Sequence, residues 1–198
     1  MAGKLWLVLP VFLVITVQIT NAQNDAAQVT EQFKHFCSQY RLNYMNSGDY
    51  TPEVYEKDNL LEIKKEKLTI QFSGYGLNDG RELYVFSSFR DTCCGSPEVT
   101  SGCYVKDNEG WKDITGEVMP SLTYKDFFGR DAAPPSQYLS AVQFRYVLHK
   151  NNQVQVVIEP KGKFDEKFLR VFEARKYAAA QLKWNKKEGK FEIQKWLK

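Results

Sequence analysis

Apolar residues recur every three to four positions over 24–45. Val29, Phe33, Phe36, Cys37, Tyr40 and Tyr44 fall on one face, and Glu31, Lys34, Gln39 and Arg41 on the other. This is the period of an amphipathic helix. Asn24 or Asp25 caps its start, and Ser47-Gly48 ends it. After a polar stretch at 49–58 the period shortens to two. Leu68, Ile70 and Phe72 alternate with polar residues, and 82–89 reads ELYVFSSF. The segment 67–89 therefore predicts an antiparallel pair of strands, joined through Gly74, Gly76 and Asn78-Asp79-Gly80. Tyr84 and Phe86 share one face of the second strand, Leu83 and Val85 the other. Apolar on both faces, that strand is expected at the centre of a sheet, beneath the helix.

Three hairpins follow the same pattern. They span 104–114 around Asp107-Asn108-Glu109-Gly110, 142–158 over Asn151-Asn152, and 180–196 over Lys186-Lys187-Glu188-Gly189. Residues 115–118 and 123–128 read as short helical turns, and 164–176 as a helical turn or a strand. The segment 131–136, with Pro134-Pro135, reads as a surface loop and the best internal break. The fold expected is α+β: an N-terminal amphipathic helix packed on a mostly antiparallel sheet built from hairpins, with a disulfide-stapled loop at 90–103.

The first residues change the setting of this domain. MAGKLWLVLPVFLVITVQITNA has a basic residue, Lys4, then an almost unbroken apolar run from Leu5 to Ile19, then small or polar residues up to Ala22. This is the pattern of a secretory signal peptide over 1–22, too short and wrongly flanked for a membrane span. Residues 23–198 are then one exported domain, secreted or periplasmic, with no membrane association after cleavage.

Export bears on the cysteines. Cys37, Cys93, Cys94 and Cys103 make an even count, and pairing is the expectation outside the cytoplasm. A local bridge from Cys93 or Cys94 to Cys103, with Cys37 stapling the helix to the same loop, fits the spacing best. Adjacent Cys93-Cys94 lacks the gap that lets two thiolates wrap a zinc ion, and no Cys-x-x-Cys redox pair is present. No metal and no cofactor is expected.

The formal charge of +3 is too small to imply nucleic acid or a membrane surface. Its distribution is uneven. Residues 161–198 carry twelve Lys/Arg against five Asp/Glu. The basic segment either balances an acidic remainder or presents a basic face to anionic glycans or an acidic partner.

Catalytic patterns are scarce. His35 and His149 are the only histidines, and G-x-S-x-G, H-E-x-x-H and phosphate-binding glycine loops are absent from the sequence. No catalytic residue is assigned. Asp113, Glu117, Asp126 and Asp131 are the densest carboxylates for a hydrolase. Trp111, Tyr124 and Phe127-Phe128 lie nearby to stack on a sugar. Trp111, Asp113, Tyr124 and Asp126 are thus the candidate ligand surface. Gly76-Leu77-Asn78-Asp79-Gly80-Arg81-Glu82-Leu83 resembles the calcium loop that opens blades in FG-GAP and integrin-like propellers. That resemblance covers about ten residues and implies a calcium-dependent adhesion-like fragment. The segment lacks the evenly spaced Asp ladder of such loops, and a plain Asn-Asp-Gly turn is the better reading. The function expected is an exported, non-catalytic binding protein for an extracellular or periplasmic protein or glycan. The rivals are a secreted hydrolase of polysaccharide or cell wall acting through 113–131, and the calcium-dependent fragment.

Overall fold

The computed structural model describes residues 27–42, 51–92, 97–128, 142–161 and 166–198. The leader at 1–22, Cys93, Cys94, Asp131 and the break at 131–136 lie outside the described residues. Ten strands form two antiparallel meanders. Sheet A holds β1 (Glu53–Tyr55), β2 (Leu60–Lys65), β3 (Leu68–Gly76), β4 (Glu82–Arg90), β5 (Glu98–Asp107) and β6 (Gly110–Asp113), in chain order. Sheet B holds β7 (Val142–His149), β8 (Gln153–Pro160), β9 (Ala179–Asn185) and β10 (Lys190–Leu197), in the order β10-β9-β8-β7. Residues 27–39 are helical (α1), and among the described residues the further α-helices are short: α2 (Thr115–Val118), α3 (Tyr124–Phe128) and α4 (Glu166–Glu173). Among the described residues no helix is long and apolar enough to cross a membrane.

This corrects the expected α+β class. The molecule is mainly β, in two sheets rather than one, and its helices are short. Two cores explain why. Odd positions of β3 to β5 and even positions of β2 face sheet B. There Leu60, Tyr75, Leu83, Val85, Cys103 and Val105 meet Leu148, Val154, Val156, Leu182 and Phe191. The opposite face of sheet A meets α1, where Val29, Phe33, Phe36 and Cys37 bury against Leu61, Ile70, Phe72, Tyr84, Phe86, Tyr104 and Trp111. A fully buried Phe or Val side chain contributes roughly 1.5–3 kcal/mol, so α1 adheres through its aromatic face. The helix is not the expected 24–45 element. It ends at 39 because the chain turns back there: Leu42 N donates to Cys37 O at 2.8 Å and Arg41 N to Ser38 O at 3.3 Å. Arg41 takes φ 54° to allow it. This is a Schellman closure with arginine where glycine is usual.

The disulfide expectation is not met among the described residues, where both cysteines lie enclosed in apolar cores. Cys37 and Cys103 are free and buried. Cys37 packs in the core under α1, whereas Cys103 points from the middle of β5 into the core between the sheets. Sheet A itself separates the two thiols. The stapled loop at 90–103 is in part strand, since β5 begins at Glu98 and pairs with β4 from Arg90↔Glu98 to Leu83↔Val105. Burial pushes the Cys37 thiol up to about 12, and burial raises Cys103 as well.

Candidate functional site

β7 is the edge strand of sheet B, and it packs across β3, β4 and β5 of sheet A. The backbone groups of Tyr146 and Leu148 therefore face away from β8. They are met by side chains from sheet A. Gln71 Oε1 accepts the Leu148 N–H at 2.8 Å, and Gln71 Nε2 donates to the Leu148 carbonyl at 2.8 Å. Ser101 Oγ accepts the Tyr146 N–H at 3.2 Å. These side chains belong to one row across sheet A, because Glu62, Gln71, Ser87 and Ser101 are successive cross-strand partners. Within the row Gln71 Nε2 donates to Glu62 Oε1 at 2.7 Å, and the Ser87 and Ser101 hydroxyls are 3.0 Å apart. Polar residues buried at this crossing are there to satisfy an edge.

Beside the crossing lies a groove of about 730 Å³. One wall is sheet A, with Glu62, Lys64, Thr69 and Gln71. The other is sheet B and its first turn, with Arg145, His149, Lys150, Asn151, Gln153 and Gln155; Tyr55 closes one end. Glu62 Oε2 pairs with Lys64 Nζ at 2.7 Å. Arg145 Nη2 pairs with Glu159 Oε1 at 2.7 Å, and its guanidinium carbon lies 4.1 Å from the Phe89 ring centroid. The Arg145 Nε–H is buried and makes no hydrogen bond. Lys150 Nζ lies 3.9 Å from the Tyr55 ring centroid. A hydrogen bond to Glu53 is the main cause that pushes the Tyr55 phenol up to about 12.

The residues singled out in the sequence are elsewhere, and they are not together. Trp111 is buried under α1, edge-on to Phe36 and Tyr84. Tyr124 is buried in the core between the sheets, on the other side of sheet A. Asp113 Oδ1 accepts the Thr115 N–H at 2.8 Å and its hydroxyl at 2.6 Å. Asp126 Oδ2 does the same for Thr123, at 2.7 and 2.8 Å. Asp113 closes a local turn just ahead of α2, and Asp126, in the first turn of α3, reaches back to Thr123 as the acidic member of a capping box does. Glu117 lines a separate groove of about 660 Å³, together with Asp107, Arg81, Lys112 and Lys190.

In the turn that resembles a calcium loop, Asp79 holds Arg81 through its backbone N–H and guanidinium. The Arg81 hydrogen bonds keep the Asp79 carboxyl below its ordinary range. Glu82 is taken by Gln28 and by the Tyr84 hydroxyl. Among the described residues no group of three His, Cys, Asp or Glu side chains could hold a metal ion.

The groove residues were not singled out in the sequence. The one available signal was Glu62 and Gln71, polar residues at strand positions that face a covered side. No family model, curated protein or solved structure matches the chain.

Proposed function

We propose that this is an exported, non-catalytic binding domain whose inter-sheet groove takes a saccharide. The leader pattern at 1–22 supports export. The observation that carries the saccharide reading is the closed edge of β7. A peptide entering the groove would gain most by adding a strand there, but Gln71 and Ser101 already occupy the Leu148 and Tyr146 backbone groups. What the walls offer instead is a ring of amides, a hydroxyl and cations: Asn151, Gln153, Gln155, Thr69, Lys64 and Arg145. Convergent polar groups of this kind orient a hydroxyl-rich ligand. The groove falls within the roughly 300–1,000 Å³ usual for small-ligand sites.

The non-catalytic part is supported by the employment of the carboxylates. Asp113 and Asp126 cap turns, and Glu62 is held by Lys64 and Gln71. Titration calorimetry with a panel of neutral and acidic hexasaccharides tests the reading. Binding without turnover, abolished by Gln155→Trp in a protein that melts normally, is expected. Turnover of any panel member, or binding untouched by that substitution, would overturn it.

A further inference from the structure

Resting on the saccharide reading, we infer that the ligand is an acidic saccharide and that Arg145 receives its carboxylate or sulfate. Three observations carry this. Arg145 is already positioned: Phe89 lies against one face of its guanidinium and Glu159 holds one amino group, with the side chain 24% exposed. Little side-chain freedom remains to be lost on binding, and a fixed planar guanidinium is suited to an oxyanion. Its Nε–H is buried without a partner. An unpaired buried donor on a charged group is costly, so Arg145 carries hydrogen-bonding capacity that the protein itself leaves unused. The charges lining the groove are also unequal. Lys64, Arg145 and Lys150 face it; Glu62 offsets Lys64 and Glu159 offsets Arg145, which leaves Lys150, over the Tyr55 ring, as the cation in excess. A neutral sugar would use none of this surplus.

Glu159 then has a definite role. It is the resident carboxylate on Arg145 in the absence of ligand, and it competes with the incoming anion. Removing its charge should tighten binding of an acidic saccharide, the reverse of what loss of a ligand contact would do.

The test compares three hexasaccharides by calorimetry: a hexagalacturonate, its carboxyl-reduced neutral counterpart, and a sulfated neutral hexasaccharide. Hexaglutamate serves as the peptide arm. Wild type is expected to bind one acidic saccharide at least about tenfold tighter than the neutral one, and the better of the two identifies carboxylate or sulfate. Arg145→Gln should lose about 10- to 100-fold for that ligand and markedly less for the neutral one. Arg145→Lys should not restore a carboxylate ligand. Glu159→Gln should tighten the acidic ligand about threefold or more, which keeps the inference testable should Arg145→Gln fail to fold. Equal affinity for acidic and neutral saccharides, or weaker binding in Glu159→Gln, overturns the role of Arg145 and leaves the saccharide reading standing. Binding of hexaglutamate alone, or of no probe, overturns both.

Discussion

The side-chain amide of Gln71 pairs with the backbone of Leu148 as one peptide unit pairs with another. It accepts the N–H and donates to the C=O, both at 2.8 Å. Gln39 does the same to Trp111 on edge strand β6, accepting the N–H at 2.9 Å and donating to the carbonyl at 3.2 Å. Gly110 makes room for it, since a Cβ there would lie 2.5 Å from Gln39 Oε1. Each glutamine thus stands in for a missing neighbouring strand, one where sheet B crosses sheet A and one where α1 ends.

Replacing these two glutamines separates their roles. Gln71→Ala leaves the buried Leu148 groups and Glu62 without their partner, and should cost about 2–4 kcal/mol in urea unfolding, as each orphaned buried group costs roughly 1–3 kcal/mol. Gln39→Ala is at a more exposed place and should cost about 1 kcal/mol. Its distinguishing effect should be self-association through the uncovered β6 edge, seen by size-exclusion chromatography at rising concentration. Equal costs for the two variants would contradict the difference in burial.

The thiols give a direct check on the sheet geometry. Cys37 and Cys103 lie on opposite faces of sheet A. Iodoacetamide should label neither in the native protein, and should label both after unfolding without reductant, read by peptide mass spectrometry. Failure to label Cys103 in the unfolded, unreduced chain would mean it is bridged. That outcome would contradict its placement in the core.

On β3 the even face is legible in the sequence and the odd one is hidden. Leu68, Ile70 and Phe72 announce a strand with one buried face, and they do bury, under α1. Thr69, Gln71 and Ser73 look like its solvent side, yet Gln71 and Ser73 are buried because sheet B crosses there. Polarity marks a face that must satisfy an edge as readily as one that meets water. The hairpin between β2 and β3 was hidden for another reason. Its turn is Glu66-Lys67, with Glu66 at φ 48° and no Asn or Gly to signal it. The first half of β5, within the segment 90–103 expected as a cysteine loop, carries no apolar alternation through Thr100-Ser101-Gly102, yet Ser101 is there to receive the Tyr146 N–H. The groove joins β2, β3, β7 and β8. Which strands meet is a property of topology, and no local period reports it.

The end of α1 stores a removable strain. Arg41 holds a left-handed backbone at φ 54° so that Leu42 and Cys37 can close the helix. A side chain in that conformation costs roughly 1 kcal/mol relative to glycine. Glycine gives some of this back through its freer unfolded chain. Arg41→Gly should still raise stability by about 0.5 kcal/mol and leave the groove's ligand affinity unchanged. A loss of stability would show that the arginine side chain contributes more than its backbone costs.

Stability should also fall on the alkaline side. Burial, the leading cause, raises the ionisation of Cys37 to about 12 and of Tyr104 to about 12, and also raises Cys103, Tyr75, Tyr84 and Tyr146. Each is neutral when folded and ionises more readily when unfolded. Their contribution is therefore complete below the unfolded values, 9.0 for the thiols and 10.0 for the phenols. It is lost as the pH climbs from there toward the folded values. The melting temperature should hold steady through neutral pH with respect to these groups and drop steeply above about pH 9. Cys37→Ala removes one such group and should make the first part of that drop, between pH 9 and 10, shallower than in wild type, whatever its effect on stability at pH 7. An unchanged slope would place the Cys37 thiol in contact with water, against its burial beneath α1.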